Sequence, residues 1–304
     1  MSDWPELDVK RDQPTFATLH LASQMLGKMR VAYAPWINHG WHVTLRPTAY
    51  GLEAAPIAAD SRSFTLAIDL CSHSMTLAIS DGVRDEIPFQ GQTIAELHRD
   101  LIAMLDRHRL PSKFNGKPSE IADAKRFADD HDPRSYDRDS ATRLLGALNA
   151  VVPVFEKFRA GFSGKASPVH FFWGGFDLAV TRFSGRKAPP HPGGFPGLPD
   201  RITREAYSHE ESSAGFWLGG VTAAEAIFYS YVYPEPDGYR DTRVEPRAAR
   251  FDQELGEFVL AYAEVRGSAD PEETLMRFLL TTYDAAANRA NWDRAALERE
   301  PVAP

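Results

Sequence analysis

Residues 168–191, PVHFFWGGFDLAVTRFSGRKAPPH, set the hardest constraint on any fold this chain can adopt. Five large aromatics (Phe171, Phe172, Trp173, Phe176 and Phe183) are interleaved there with His170, Asp177, Thr181, Arg182 and Arg186. A core strand with so many ionisable groups must pair them or turn them toward a cavity, because an unpaired buried charge is costly. The stretch therefore holds either a buried ion-pair network or one wall of a pocket.

The rest of the chain sets the frame for that segment. With 304 residues it is long enough for one large domain or two ordinary ones. A net charge of −8 argues against nucleic acid or an anionic membrane as the main partner. It leaves room for a local basic pocket and a small anionic molecule. One cysteine, Cys71, excludes an internal disulfide and Cys-rich metal sites, and its apolar flank predicts a buried side chain. The acidic start lacks the apolar run of a signal peptide, and no window nears the ~18 apolar residues of a membrane span. The expectation is a cytoplasmic protein. The sequence leaves the oligomeric state open.

Periodicity predicts helices over 15–33, 93–109, 139–162, 251–266 and 271–287. Thr93 with Glu96 forms a capping-box pattern, Asp270-Pro271 is a helix start, and Pro153 is a place for a kink. Strands are expected over 41–52, 63–70, 74–80, 213–218 and 226–233. Gly174-Gly175 between 169–173 and 176–183 reads as a hairpin, with a strand feeding a short helix as the alternative. The Gly/Pro-rich run 185–201 forbids a regular element and reads as a loop laid over the surface, and the tail from Asn291 reads as frayed. The fold class is α+β, mainly antiparallel sheet with helices packed on it. The organisation is an N-terminal half (1–115), a polar connection (116–138) and a C-terminal half (139–304) that carries the signature, or one compact unit. Each half reads helix, strands, helix, and LGKMRVAYAPWINHGWHVTL loosely echoes FEKFRAGFSGKASPVHFFWG, so two similar halves are an option.

The run from His170 through Arg186 resembles the signature of a bacterial domain-of-unknown-function family, DUF5996, written HFFWG-x-FDLAVTRFSGR-x-AP. APWINHGWHVTL, YSHEESSAGFW, YSYVYPEP and TTYDAAANRANWDR resemble further blocks of that family. The resemblance covers most of the chain. It implies one unit of this length and no particular activity.

Chemistry must then come from the residues. His39-x-x-His42 has metal-like spacing, but on a strand the two point to opposite faces. His42-Val-Thr-Leu resembles half of a two-histidine phosphoesterase signature, and no second His-x-Thr/Ser completes it. Asp177, Arg182 and Arg186 either clamp a carboxylate or phosphate or form a structural network. His209 beside Glu210 in a polar loop is the candidate general base with its orienting carboxylate. His42, His170 and His209 are the candidate ligands of a divalent metal, the one cofactor this chain suggests. Phosphate-binding glycine motifs and the Gly-x-Ser-x-Gly elbow are absent, so no nucleotide-binding motif is present. Tyr229, Tyr231 and Tyr233 share a strand face and read as sheet packing. The functional expectation is an enzyme for a small anionic metabolite. His170, Phe172, Trp173, Asp177, Arg182, Arg186 and Trp217 would bind the ligand, and His209 with Glu210 would be catalytic. A non-catalytic binding module with the same pocket and a structural oligomer are the alternatives.

Overall fold

A computed structural model of the chain describes residues 4–195, 197–219 and 224–299. The first half runs α1 (Val9–Tyr33), β1 (Leu45–Thr48), β2 (Gly51–Ala54), β3 (Ile57–Ala59), β4 (Arg62–Asp69), β5 (Ser74–Ile79), β6 (Arg84–Pro88) and α2 (Ile94–Arg107). The second runs α3 (Arg138–Ala160), β7 (His170–Phe172), β8 (Asp177–Lys187), α4 (Asp200–Ala206), β9 (His209–Trp217), β10 (Ile227–Tyr233), β11 (Arg250–Asp252), β12 (Glu257–Ala261), α5 (Tyr262–Arg266), α6 (Pro271–Arg289) and α7 (Arg294–Leu297). The fold is α+β, with an antiparallel sheet ordered β11-β12-β10-β9-β8-β7-β1-β2-β4-β5-β6 and β3 paired to β4. The layout repeats. In each half a helix leads into strands that step outward from the centre, and a helix follows.

The halves join at β1 and β7, where the only registered pair is Leu45↔Phe171. So short a ladder is a weak joint, and side chains reinforce it. The Trp173 indole N–H donates to the Val43 carbonyl at 2.8 Å. On the first-half side of the joint, buried Arg30 of α1 fixes the segment that receives this bond by donating to the carbonyls of His42 (2.8 Å) and Pro56 (2.7 Å). One hydrophobic core runs through both halves.

α1, α2, α3 and α6 pack on one face of the sheet. The β period of two decides which residues meet them. Leu178, Val180, Phe216 and Phe228 are buried among the helices, with Tyr262 stacked on Phe216. α1 and α3 are tied at their starts by fully buried Asp12, which accepts from Arg11, Arg143 and Ser140. These bonds hold its carboxyl far below the usual range despite burial, the largest opposing effect.

Several expectations are corrected. Residues 41–52 are not one strand: residues 38–43 form a 3-10 turn, with His39 (φ 58°) and Gly40 (φ 72°) left-handed, ahead of the β1–β2 hairpin. The turn continues through Val43, so pairing starts only at Leu45, and the chain reverses at 49–50 to form the hairpin. Residues 251–266 are not one helix but two strands and a short helix, because the apolar run 258–260 completes the sheet beside β10. β3 and β6 are added strands. The polar run at 207–213 is largely strand, since β9 starts at His209. Cys71 is exposed in the β4–β5 turn. The tail from Asn291 is packed as far as the structure describes it: Trp292 is buried and Arg294 pairs with Asp284 and Glu298; residues 300–304 lie outside the described residues. The Gly174-Gly175 hairpin, the Thr93 capping box and the Asp270-Pro271 start all form as read. Residues 116–138 are docked, not loose, with Phe127 fully buried and Ser119 and Asp130 nearly so.

Gly27 shows how tightly the joint is packed. A Cβ there would lie 2.0 Å from the Trp173 ring. Gly→Ala inside a helix ordinarily stabilises by about 1 kcal/mol. Here overpacking dominates, and Gly27→Ala is expected to lower stability by about 1–3 kcal/mol in urea denaturation; a stabilised variant would contradict this packing.

Candidate functional site

The sheet face opposite the helices carries a cavity of about 500 Å³. That volume lies in the range of small-molecule sites. Its floor is the other half of the β alternation: His170 and Phe172 of β7, Asp177, Ala179, Thr181 and Phe183 of β8, Glu211 and Ser213 of β9, and Tyr229 and Tyr231 of β10. The 3-10 turn supplies His39, Trp41 and His42 to its wall. The far side comes from Ser119, Glu120 and the α4 region, including Arg201, Thr203 and Tyr207.

Each wall is positioned by identifiable contacts. Gln24 and Lys28, one turn apart on α1, hold the loop at Ser119: Gln24 donates to its carbonyl (2.8 Å) and accepts from its amide (2.9 Å), and Lys28 donates to its hydroxyl (2.6 Å). That docking places Glu120, at φ 61°, against Gly174, where a Cβ would come within 2.0 Å of Oε1. Tyr229 lies flat across Gly215, where a Cβ would meet its ring at 2.1 Å, and so reaches Asp177 Oδ2 at 2.5 Å. Lys165 Nζ donates to His39 Nε2 (2.6 Å), which leaves Nδ1–H to donate to the Ala206 carbonyl (2.8 Å). The His39 bond ties the turn to α4.

Three carboxyl groups face this cavity, and among the described residues none is in an ion pair. Burial pushes Asp177 up to about 6, against the pull of the Tyr229 hydroxyl. Glu120 rises to about 7, through burial and then the nearby Asp177 charge, with Lys28 opposing. Glu211 rises to about 8 through burial, opposed by Tyr231 and Lys165. Burial also lowers His39, His42 and His170, which favours neutral rings. His170 Nδ1 is engaged by the Pro168 carbonyl at 2.8 Å, leaving Nε2 for a cavity occupant. Thr203, nearly fully buried on the wall, has a hydroxyl oxygen without a partner.

The sequence-derived residues divide sharply. His42, His170, Phe172, Trp173 and Asp177 line the cavity; Arg182, Arg186, His209, Glu210 and Trp217 do not. Arg182 has the opposite parity to Asp177 and points among the helices. Its guanidinium lies 3.5 Å from the Phe158 ring centre and 4.3 Å from that of Tyr283, with a bond to the Phe158 carbonyl. Arg186 donates to Glu210 (2.6 Å) and to the carbonyls of Ala290 (2.6 Å) and Asn291 (3.1 Å), a cation at the C-terminal end of α6. Glu210 is thus a structural partner, and the alternation of β9 gives the cavity position to Glu211. Trp217 is half-buried opposite Asp177 in the ladder. His209 lies beside the wall, its ring 5.8 Å from that of His39. His42, His170 and His209 therefore do not converge, and among the described residues no group of three His, Cys, Asp or Glu side chains is arranged to hold a metal ion. Tyr229 and Tyr231, read as packing, are cavity floor. Glu120 and Glu211 were missed. The alternation shared by Glu211, Ser213 and Gly215 with Tyr229 and Tyr231 is the signal that points to Glu211.

A family model described as a family of unknown function, DUF5996, matches residues 4–299. No curated protein and no solved structure matches the chain.

The carboxyl groups give a stability prediction with a definite sign. A carboxyl whose folded-state pKa is raised binds more protons folded than unfolded, so stability falls as pH rises from the unfolded value to the folded one. For Glu211 that window runs from 4.5 to about 8. Each unit corresponds to about 1.4 kcal/mol. Glu211→Gln is expected to gain thermal stability over the parent as pH goes from 5 to 9. A difference that is flat or shrinks with pH would show that Glu211 is not buried unpaired.

Proposed function

The chain belongs to DUF5996, and from that premise we propose that the cavity is the active site of a small-molecule enzyme that works by acid–base chemistry. The observation that carries this reading is the set of three unpaired carboxyl groups, Glu120, Asp177 and Glu211, inside one aromatic-walled cavity. Perturbed acids gathered in a cleft are the usual mark of proton-transfer chemistry, which works best with a pKa near the operating pH. Asp177 is the proposed acid/base, oriented by the Tyr229 hydroxyl, and His170 Nε2 is the proposed positioning group. A cytoplasmic setting goes with this reading. An anionic ligand loses its support, because both arginines proposed to bind it are turned away from the cavity.

A non-catalytic binding module is the second reading. It is favoured by the absence, among the cavity-lining residues described, of a cysteine or of a serine elbow that would serve as nucleophile. Incubation with a small-metabolite extract, followed by untargeted mass spectrometry, separates the two. The enzyme reading expects one compound to be consumed and another to accumulate, with at least tenfold slower conversion by Asp177→Asn. A compound retained by the protein without conversion supports the binding module; equal conversion by both proteins removes Asp177 from the chemistry.

A further inference from the structure

We infer that the cavity recognises a small organic cation, an amine on an apolar or aromatic body, with Asp177 as the counter-charge. This rests on the reading of the cavity as a ligand site and adds the ligand's class to it.

The argument starts from how the chain uses its own cations around the cavity. Lys28 Nζ lies 5.5 Å from the Trp173 ring centre and is committed to Ser119. Lys165 Nζ lies 5.1 Å from the Phe183 ring and 5.5 Å from that of Trp41, and is committed to His39. Arg201 lies 5.9 Å over exposed Trp36 at the rim. Lys28 acts on Glu120 and Lys165 on Glu211 through space, though neither closes to an ion pair. Among the described residues Asp177 has no such cation. Its one side-chain partner is the Tyr229 hydroxyl, and the like charges of Glu120 and, from β12, Glu257 act in the same region.

This corner is built for positive charge and is not supplied with it. A carboxylate out of water keeps its charge only if something compensates it. Phe172, Tyr229 and Tyr231 line the same cavity, and a ring face attracts a cation most strongly once water is excluded. A protonated amine supplies N–H donors to the carboxyl oxygens. It can also meet an acceptor on the same cavity floor, His170 Nε2, whose Nδ1 is already engaged by the Pro168 carbonyl. An anion would face Asp177, Glu120 and Glu211 with only Lys28 and rim Arg201 as lining cations.

The test uses aromatic fragments in matched triplets of amine, alcohol and carboxylate, benzylamine, benzyl alcohol and benzoate being the first. Binding is read at pH 7.5 from the indole N–H resonances of Trp36, Trp41 and Trp173, assigned by substitution. The inference expects the amines to bind at least tenfold more tightly than their alcohols, and the carboxylates most weakly. Asp177→Asn should erase the preference, cutting amine affinity at least tenfold and alcohol affinity less than twofold; Glu120→Gln should cut it by a smaller factor and serves if Asp177→Asn fails to fold. Alcohols or carboxylates that bind as tightly as the amines, or a preference that survives both substitutions, overturn the inference and leave the ligand site standing. No response of these indoles to any triplet would instead remove the ligand site itself.

Discussion

Everything at the cavity depends on how the two halves of the sheet are held together. The joint between β1 and β7 is a single registered pair, Leu45↔Phe171. Trp173 adds what the ladder lacks by donating across the joint to the Val43 carbonyl just before β1, and Arg30, from the same half as that segment, holds it in place through the His42 carbonyl. These are bonds to buried backbone acceptors, the kind whose loss is expensive because the acceptor is left without a partner. They also hold the 3-10 turn beside β7 and β8, so the device that joins the halves builds one wall of the cavity. Gly27 is glycine because the Trp173 ring occupies the space of a side chain.

With the turn fixed there, the sheet sorts its polar residues by parity. On β8 the even positions meet the helices, and Arg182 is enclosed by the rings of Phe158, Phe162 and Tyr283. The odd positions meet the cavity, where Asp177 lies among carboxyl groups and tyrosines. One strand thus serves both roles that its composition allows, a buried cation held by aromatics on one side and a pocket wall on the other. The carboxyl groups work against stability at neutral pH, and an arrangement that opposes folding is a signature of a functional site.

Much of this was legible in the residues. The hairpin at Gly174-Gly175, the caps of α2 and α6 and the α+β class follow from turn chemistry and periodicity, which act over a few residues. The importance of 168–191 was also legible, because aromatic and ionisable residues at alternate positions can satisfy few environments. What failed was the assignment of faces across the sheet. Glu210 was preferred to Glu211 because 207–213 is polar enough to pass for a loop; in fact the run is largely strand, with Glu211 and Ser213 turned to the cavity and Glu210 held by Arg186. Glu120 was invisible for a different reason. Its placement depends on Gln24 and Lys28, nearly a hundred residues earlier, docking Ser119. Arg182 and Arg186 have the chemistry of an anion clamp; the parity of β8 turns Arg182 among the helices, and the bulge after Phe183 with the nearness of α6 shows where Arg186 points.

The central claim is that the cavity holds three carboxyl groups, Glu211 buried and Asp177 and Glu120 half-buried, with no ion-pair partner among the described residues. It is tested most directly by carbon-detected NMR titration of the side-chain carboxyl groups in the unliganded protein, with Asp177→Asn, Glu120→Gln and Glu211→Gln used for assignment. The account predicts that Asp177, Glu120 and Glu211 titrate near 6, 7 and 8, as a coupled set. Titration of all three near the ordinary carboxylate value of about 4 would contradict it, since it would mean that water or cations of the chain already satisfy these groups.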